Sequence, residues 1–145
     1  MREPLYRGKR DGDGKWVTGR TIIEYGDGVQ LSNGLAKAAS DSGYSKYWLI
    51  PKTDYVIPET VGEYTGFLDK NSVRIFDGDI VKDNFGNIGV IVYTEHFLEW
   101  RIRFYKGRED LIGELGVDLF SWVYPEMRLE VIGNVFDNPE LLQAN

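Results

Sequence analysis

Asp77 and Asp79 flank a glycine in Ile75-Phe-Asp-Gly-Asp-Ile-Val81, and residues two apart in a strand or turn share a face. Two carboxylates held in this way, with Glu59, Glu63 or Asp69 near them in sequence, have the parts to bind magnesium or to act as an acid and base pair. A simpler use competes with that one. Short acids at turns accept backbone N–H groups, and both aspartates sit where a turn must open the next strand. His96 is the single histidine, with Glu95 and Glu99 for company, and a lone histidine in a turn is ordinarily solvated. The sequence has no His-Glu-x-x-His spacing, no Gly-x-Ser-x-Gly elbow, no phosphate loop ending in Gly-Lys-Ser/Thr and no dinucleotide fingerprint. Asp11-Gly-Asp-Gly14 hints at calcium, but the ligand spacing and closing glutamate of an EF-hand loop are missing, so it reads as a turn. We expect no enzyme, no metal and no cofactor, with a carboxylate-dependent hydrolase at Asp77 and Asp79 as the least favoured reading.

The second set of chemically capable residues is cationic. Arg7, Lys9 and Arg10 lie on the first strand-like stretch, and Arg101 and Arg103 alternate along a later one. All five are candidate contacts for an anion or a nucleic acid. Their competing role is ion pairing with the chain's own acids, which include Glu95 and Glu99 beside the second group.

Charge distribution weighs against nucleic acid. Residues 1–57 carry 9 basic and 7 acidic groups, whereas residues 58–145 carry 8 basic and 16 acidic. An acidic second half repels phosphates at long range. The chain has no cysteine, which removes disulfides, thiol nucleophiles and Cys-ligated metals and suits a reducing cytoplasm. With no uninterrupted apolar run long enough to span a bilayer, a soluble cytoplasmic protein without a membrane partner is expected.

The elements that must position these residues are mostly strands. In 145 residues there are 17 glycines and 20 aromatics among many Val and Ile, a composition that favours sheets and can bury a core of its own. Leu5–Arg10 and Trp16–Glu24 read as a hairpin around the Asp-Gly-Asp-Gly turn. Residues 32–46 are small and polar and read as a mobile surface loop, followed by short strands at Tyr47–Ile50 and Tyr55–Ile57, each closed by a proline. In Glu99–Tyr105, Trp100, Ile102 and Phe104 face one way and Arg101, Arg103 and Tyr105 the other. Ile88–Tyr93 reads as a buried strand, with Leu119–Tyr124 and Leu129–Phe136 as closing strands. Asn138-Pro-Glu-Leu-Leu142 has an N-cap and a proline placed to start a short helical turn. The region from about Gly78 to Phe136 therefore has the strand count and lengths of an SH3-like barrel.

Glu59-Thr-Val-Gly-Glu-Tyr-Thr-Gly66, Asp69-Lys-Asn71 and Ile75-Phe-Asp-Gly-Asp-Ile-Val81 carry a resemblance to the YopX family of bacteriophage and prophage proteins. It extends to Arg7-Gly-Lys9, Trp16-Val-Thr-Gly19 and Val131-Ile-Gly-Asn-Val-Phe-Asp-Asn-Pro-Glu-Leu-Leu142. The family usually has Asn-Gly where this chain has Asn71-Ser72, which removes the residue best suited to positive φ. The resemblance implies a phage-associated, oligomer-forming protein with an SH3-like C-terminal part, and it supplies no catalytic residues.

The expectation is thus a mainly β protein, one folding unit, with an N-terminal hairpin region, loop and bridge over residues 1–77 packed on an SH3-like barrel over residues 78–145. Its expected role is that of a phage accessory protein acting as a homo-oligomeric binding or scaffold module in the bacterial host cytoplasm, with a host or phage protein as a further partner. A small nucleic-acid-binding barrel is the alternative.

Overall fold

The computed structural model describes residues 4–26, 28–32, 37–38, 48–49, 53–113, 116–123 and 128–143. It is mainly β, and the chain divides into two compact units, Met1–Glu63 and Tyr64–Asn145. Among the described residues no helix is long and apolar enough to cross a membrane.

In the first unit, β1 (Tyr6–Lys9) and β2 (Trp16–Gly19) form the expected antiparallel hairpin, with Lys9 opposite Trp16 and Arg7 opposite Thr18. Gly12 and Gly14 both take positive φ in its loop, which is why the Asp-Gly-Asp-Gly run makes a turn cheaply. The return strand does not continue to Glu24 as expected. It stops at Gly19, and Thr21–Tyr25 is a separate strand, β3, paired with β4 (Gly28–Ser32), which in turn pairs with β7 (Thr53–Val56). Gly19 permits the change of sheet because a β-carbon there would stand 2.8 Å from the backbone N and O of Ser32. Leu31 and Val56 are the buried apolar centre of this unit. Lys37–Ala38 (β5) and Trp48–Leu49 (β6) pair with each other. Except for Ser32, Lys37 and Ala38, the expected mobile loop over 32–46 lies outside the described residues.

A 3-10 turn at Pro58–Thr60 leads into β8 (Gly62–Leu68), whose later residues pair with β9 (Arg74–Phe76) in the second unit. There the main sheet runs β13-β12-β11-β10-β14, all antiparallel, from β10 (Asp79–Lys82), β11 (Ile88–Thr94), β12 (Glu99–Lys106), β13 (Val117–Asp118) and β14 (Glu130–Asn134). Its ladder has two ends among the described residues. Ile75, Val81, Ile91, Ile102, Phe104, Leu119 and Leu129 form one buried cluster. At about 1.5–3 kcal/mol for each fully buried large apolar side chain, this cluster is the main source of the unit's stability.

Two expected elements differ. Leu119–Trp122 is a short helix, α1, and not a closing strand. Asp118 decides this locally, since its carboxylate accepts the N–H of Ser121 at 3.1 Å and its hydroxyl at 2.8 Å, a capping arrangement that starts a helix. The C-terminal turn is present as a 3-10 turn over Pro139–Leu142, but Asn138 does not cap it with its side chain. Asn138 Oδ1 accepts the N–H of Asn134 at 3.2 Å instead.

Candidate functional site

Strand alternation places Arg7 and Lys9 on the same face of β1, where both approach Trp16: the Arg7 guanidinium carbon lies 4.6 Å and Lys9 Nζ 5.9 Å from its ring centre. Arg10, one residue on, is turned to its own acids. Its Nε donates to Asp13 Oδ1 at 3.0 Å, and a terminal nitrogen reaches Asp54 at 3.4 Å. The hydrogen bond from Arg10, helped by that from the Lys15 N–H, holds the Asp13 carboxyl well below the usual carboxylate range. The structure thus brings Arg7 and Lys9 together on an aromatic face and commits Arg10 to Asp13 and Asp54.

In the second unit Arg101 and Arg103 share the outward face of β12, as the alternation requires, while Ile102 and Phe104 are buried on the other. Their surroundings differ. Arg101 forms an ion pair with Glu99 at 2.5 Å, donates to the Gly116 carbonyl at 2.8 Å and stacks 4.2 Å above the Phe97 ring centre. Arg103 lies opposite Val90 of β11, and its Nε is buried with no hydrogen-bond partner. An open hollow of about 270 Å³ adjoins it, lined by Arg103, Phe104, Tyr105, Ile112 and Gly113. Composition gave no sign of this hollow, because Ile112 reaches β12 through an isolated parallel bridge to Phe104.

Of the acids that suggested hydrolysis, Asp79 and Asp69 have structural partners. Asp79 is 1% exposed and accepts the N–H of Phe76 at 2.7 Å, closing the turn through Gly78. Asp69 and Asp83, also buried, accept backbone N–H groups of the turns that follow them, from Asn71 and Val73 and from Phe85 and Asn87. The other oxygen of Asp83 accepts from Asn87 Nδ2 at 2.7 Å and from the Trp122 indole at 3.1 Å. Among the described residues no three His, Cys, Asp or Glu side chains group so as to hold a metal ion. His96 is exposed and stands edge-on to Phe97 at 4.6 Å.

Sequence reasoning missed the tip of the β11–β12 hairpin. Leu98 is 76% exposed, and Phe97 next to it and Tyr93 near the end of β11 are exposed as well. Leu98 also takes φ 54°, a conformation that costs a non-glycine residue about 1–2 kcal/mol. Nothing in the local sequence marks a left-handed leucine. The only signal was the run of apolar residues, Phe97-Leu98, at a position that must turn.

A crystal structure of protein EF1440 from Enterococcus faecalis is similar to this chain at a TM-score of 0.54 and 19% identity, covering 97% of this chain and 98% of that one. That likeness is one of fold. A search of curated proteins finds no match. The sequence model of the YopX protein family matches residues 6–143, nearly the full length, and the chain belongs to that family.

Proposed function

We propose that this chain is a phage or prophage accessory protein that works by binding, as a homo-oligomeric scaffold module in the bacterial cytoplasm, and not by catalysis. The observation that carries the reading is the β11–β12 tip: Tyr93, Phe97 and Leu98 display apolar surface, and Leu98 does so at a left-handed φ that glycine or asparagine would take at less cost. A strained, exposed leucine is expected where a partner covers it. The occupant we assign is a second copy. The opposed charge of residues 1–57 and 58–145 suits head-to-tail contact between copies, a heterologous interface that closes into a ring if the rotation permits. The main sheet of the second unit, five antiparallel strands with one short helix beside them, is read as an SH3-like module open at its edges.

Light scattering tests the proposal. The chain should be larger than a monomer at micromolar concentration and physiological salt, and Leu98→Asn, which suits the left-handed turn, should shift it toward monomer while keeping its thermal stability. A monomeric wild-type chain under those conditions overturns the reading.

A second reading rests on Arg7 and Lys9 over Trp16, a cation and aromatic combination that single-stranded nucleic acids use. The acidic balance of residues 58–145 opposes it, so association should be weak and lost with added salt. Tight binding of an oligonucleotide at physiological salt would put this reading first.

A further inference from the structure

Arg10, Arg101 and Arg108 each hold a carboxylate of this chain: Asp13, Glu99 and Asp110. Arg103 is different. Among the described residues no acid pairs with it, and its Nε is buried without an acceptor. A buried donor left unpaired costs about 1–3 kcal/mol, more when it is charged, and that cost is recovered when an acceptor arrives. The same arginine lines a hollow of about 270 Å³, with Tyr105 and Ile112 among the other lining residues. Two observations therefore meet at one place: a cation without a counter-ion, and a space with apolar walls next to it.

We propose that this hollow binds a carboxylate carried on a compact apolar or aromatic group. A planar guanidinium matches a carboxylate in shape and charge, presenting two parallel donors to two oxygens. One cation balances one negative charge, and the lining offers no second cation, so the site does not suit a phosphate dianion. The apolar walls favour a ring or branched chain over a polar body. Arg101, on the same face of β12, cannot substitute, because Glu99, the Gly116 carbonyl and Phe97 already occupy its guanidinium. The same chemistry is available from a free aromatic acid or from the C-terminal carboxylate of a peptide ending in an apolar residue.

The test uses the full chain and three probes: phenylacetate, acetyl-alanyl-phenylalanine with a free C-terminus, and phenylacetamide as the uncharged control. NMR should show a saturable shift of the Arg103 Nε–H and Tyr105 ring signals with at least one of the two acids, at millimolar affinity or better, and none with the amide. Phenylacetate alone assigns a small acid, the dipeptide alone assigns a peptide terminus, and binding of both assigns the shared carboxylate. Arg103→Gln should weaken binding by about tenfold or more, whereas Arg101→Gln should leave it within about twofold. If Arg103→Gln proves unfolded, the wild-type Arg103 signal still decides. No saturable shift with either acid, equal binding of the amide, or undiminished binding by a folded Arg103→Gln would each overturn the proposal.

Discussion

Asp69 Oδ2 accepts the backbone N–H of Val131 at 3.0 Å, across 62 positions of sequence, while Oδ1 accepts those of Asn71 and Val73. One buried carboxylate thereby shapes the β8–β9 turn and ties it to β14. Asp69→Ala leaves these N–H groups without their acceptor and should destabilise the protein by about 3 kcal/mol. Asp69→Asn keeps an oxygen for the turn but sets an NH₂ against the Val131 N–H, and should cost about 2 kcal/mol. Urea denaturation checks the order, and an Asp69→Ala protein as stable as wild type would show the carboxylate to be dispensable.

Ser72 closes that same turn at φ 63°, in the region that favours glycine. Ser72→Gly should stabilise by about 1 kcal/mol, the relief of the left-handed strain less the extra freedom of glycine in the unfolded chain. A fall in melting temperature would show that Ser72 makes a contact worth more than its strain.

At Gly89 a β-carbon would stand 2.6 Å from Ile102 Cγ2 and 2.8 Å from the Arg103 carbonyl oxygen. Backbone cannot yield cheaply inside a paired strand, so Gly89→Ala should cost about 2–3 kcal/mol, comparable to overpacking a core. Thermal unfolding of Gly89→Ala beside Gly86→Ala separates packing from conformation, because Gly86 has a positive φ but open space around its α-carbon.

Acid should weaken the fold in a definite direction. Arg10 and Arg108 hold the carboxyls of Asp13 and Asp110 below their ordinary value, chiefly by side-chain hydrogen bonds. A depressed folded-state pKa contributes stability that is present above the unfolded value, near pH 4, and is lost as pH falls through the folded value. Both pairs are solvent-exposed, so the effect is small and screened by salt. Between about pH 5 and about pH 2 the Asp13→Asn, Asp110→Asn double variant should lose less melting temperature than wild type. Coincident curves would mean that the pairs add nothing to stability.

Local chemistry by itself determined the hairpin of β1 and β2, the facing of Trp100 to Tyr105 and the turn at Asp77–Asp79, because each rests on neighbours within a few residues, while the family was legible from motifs spread along the chain. A two-residue period sorts Ile102 from Arg101 in any sheet, and Gly12, Gly14 and Gly78 reach conformations other residues resist. Leu119–Trp122 misled because Leu, Phe, Trp and Val suit a strand as well as a helix, and only the Asp118 side chain reaching Ser121 settles the choice. Tertiary structure decided how Arg101 and Arg103 differ. Arg101 and Arg103 are equivalent by spacing, yet one meets Glu99, Gly116 and Phe97 while the other faces Ile112 and an open hollow. Glu99 and Phe97 are close to both arginines in sequence, but the Gly116 carbonyl and Ile112 come from farther along the chain, through a loop whose course no local periodicity encodes, so the difference between a satisfied arginine and an available one exists only in the folded chain.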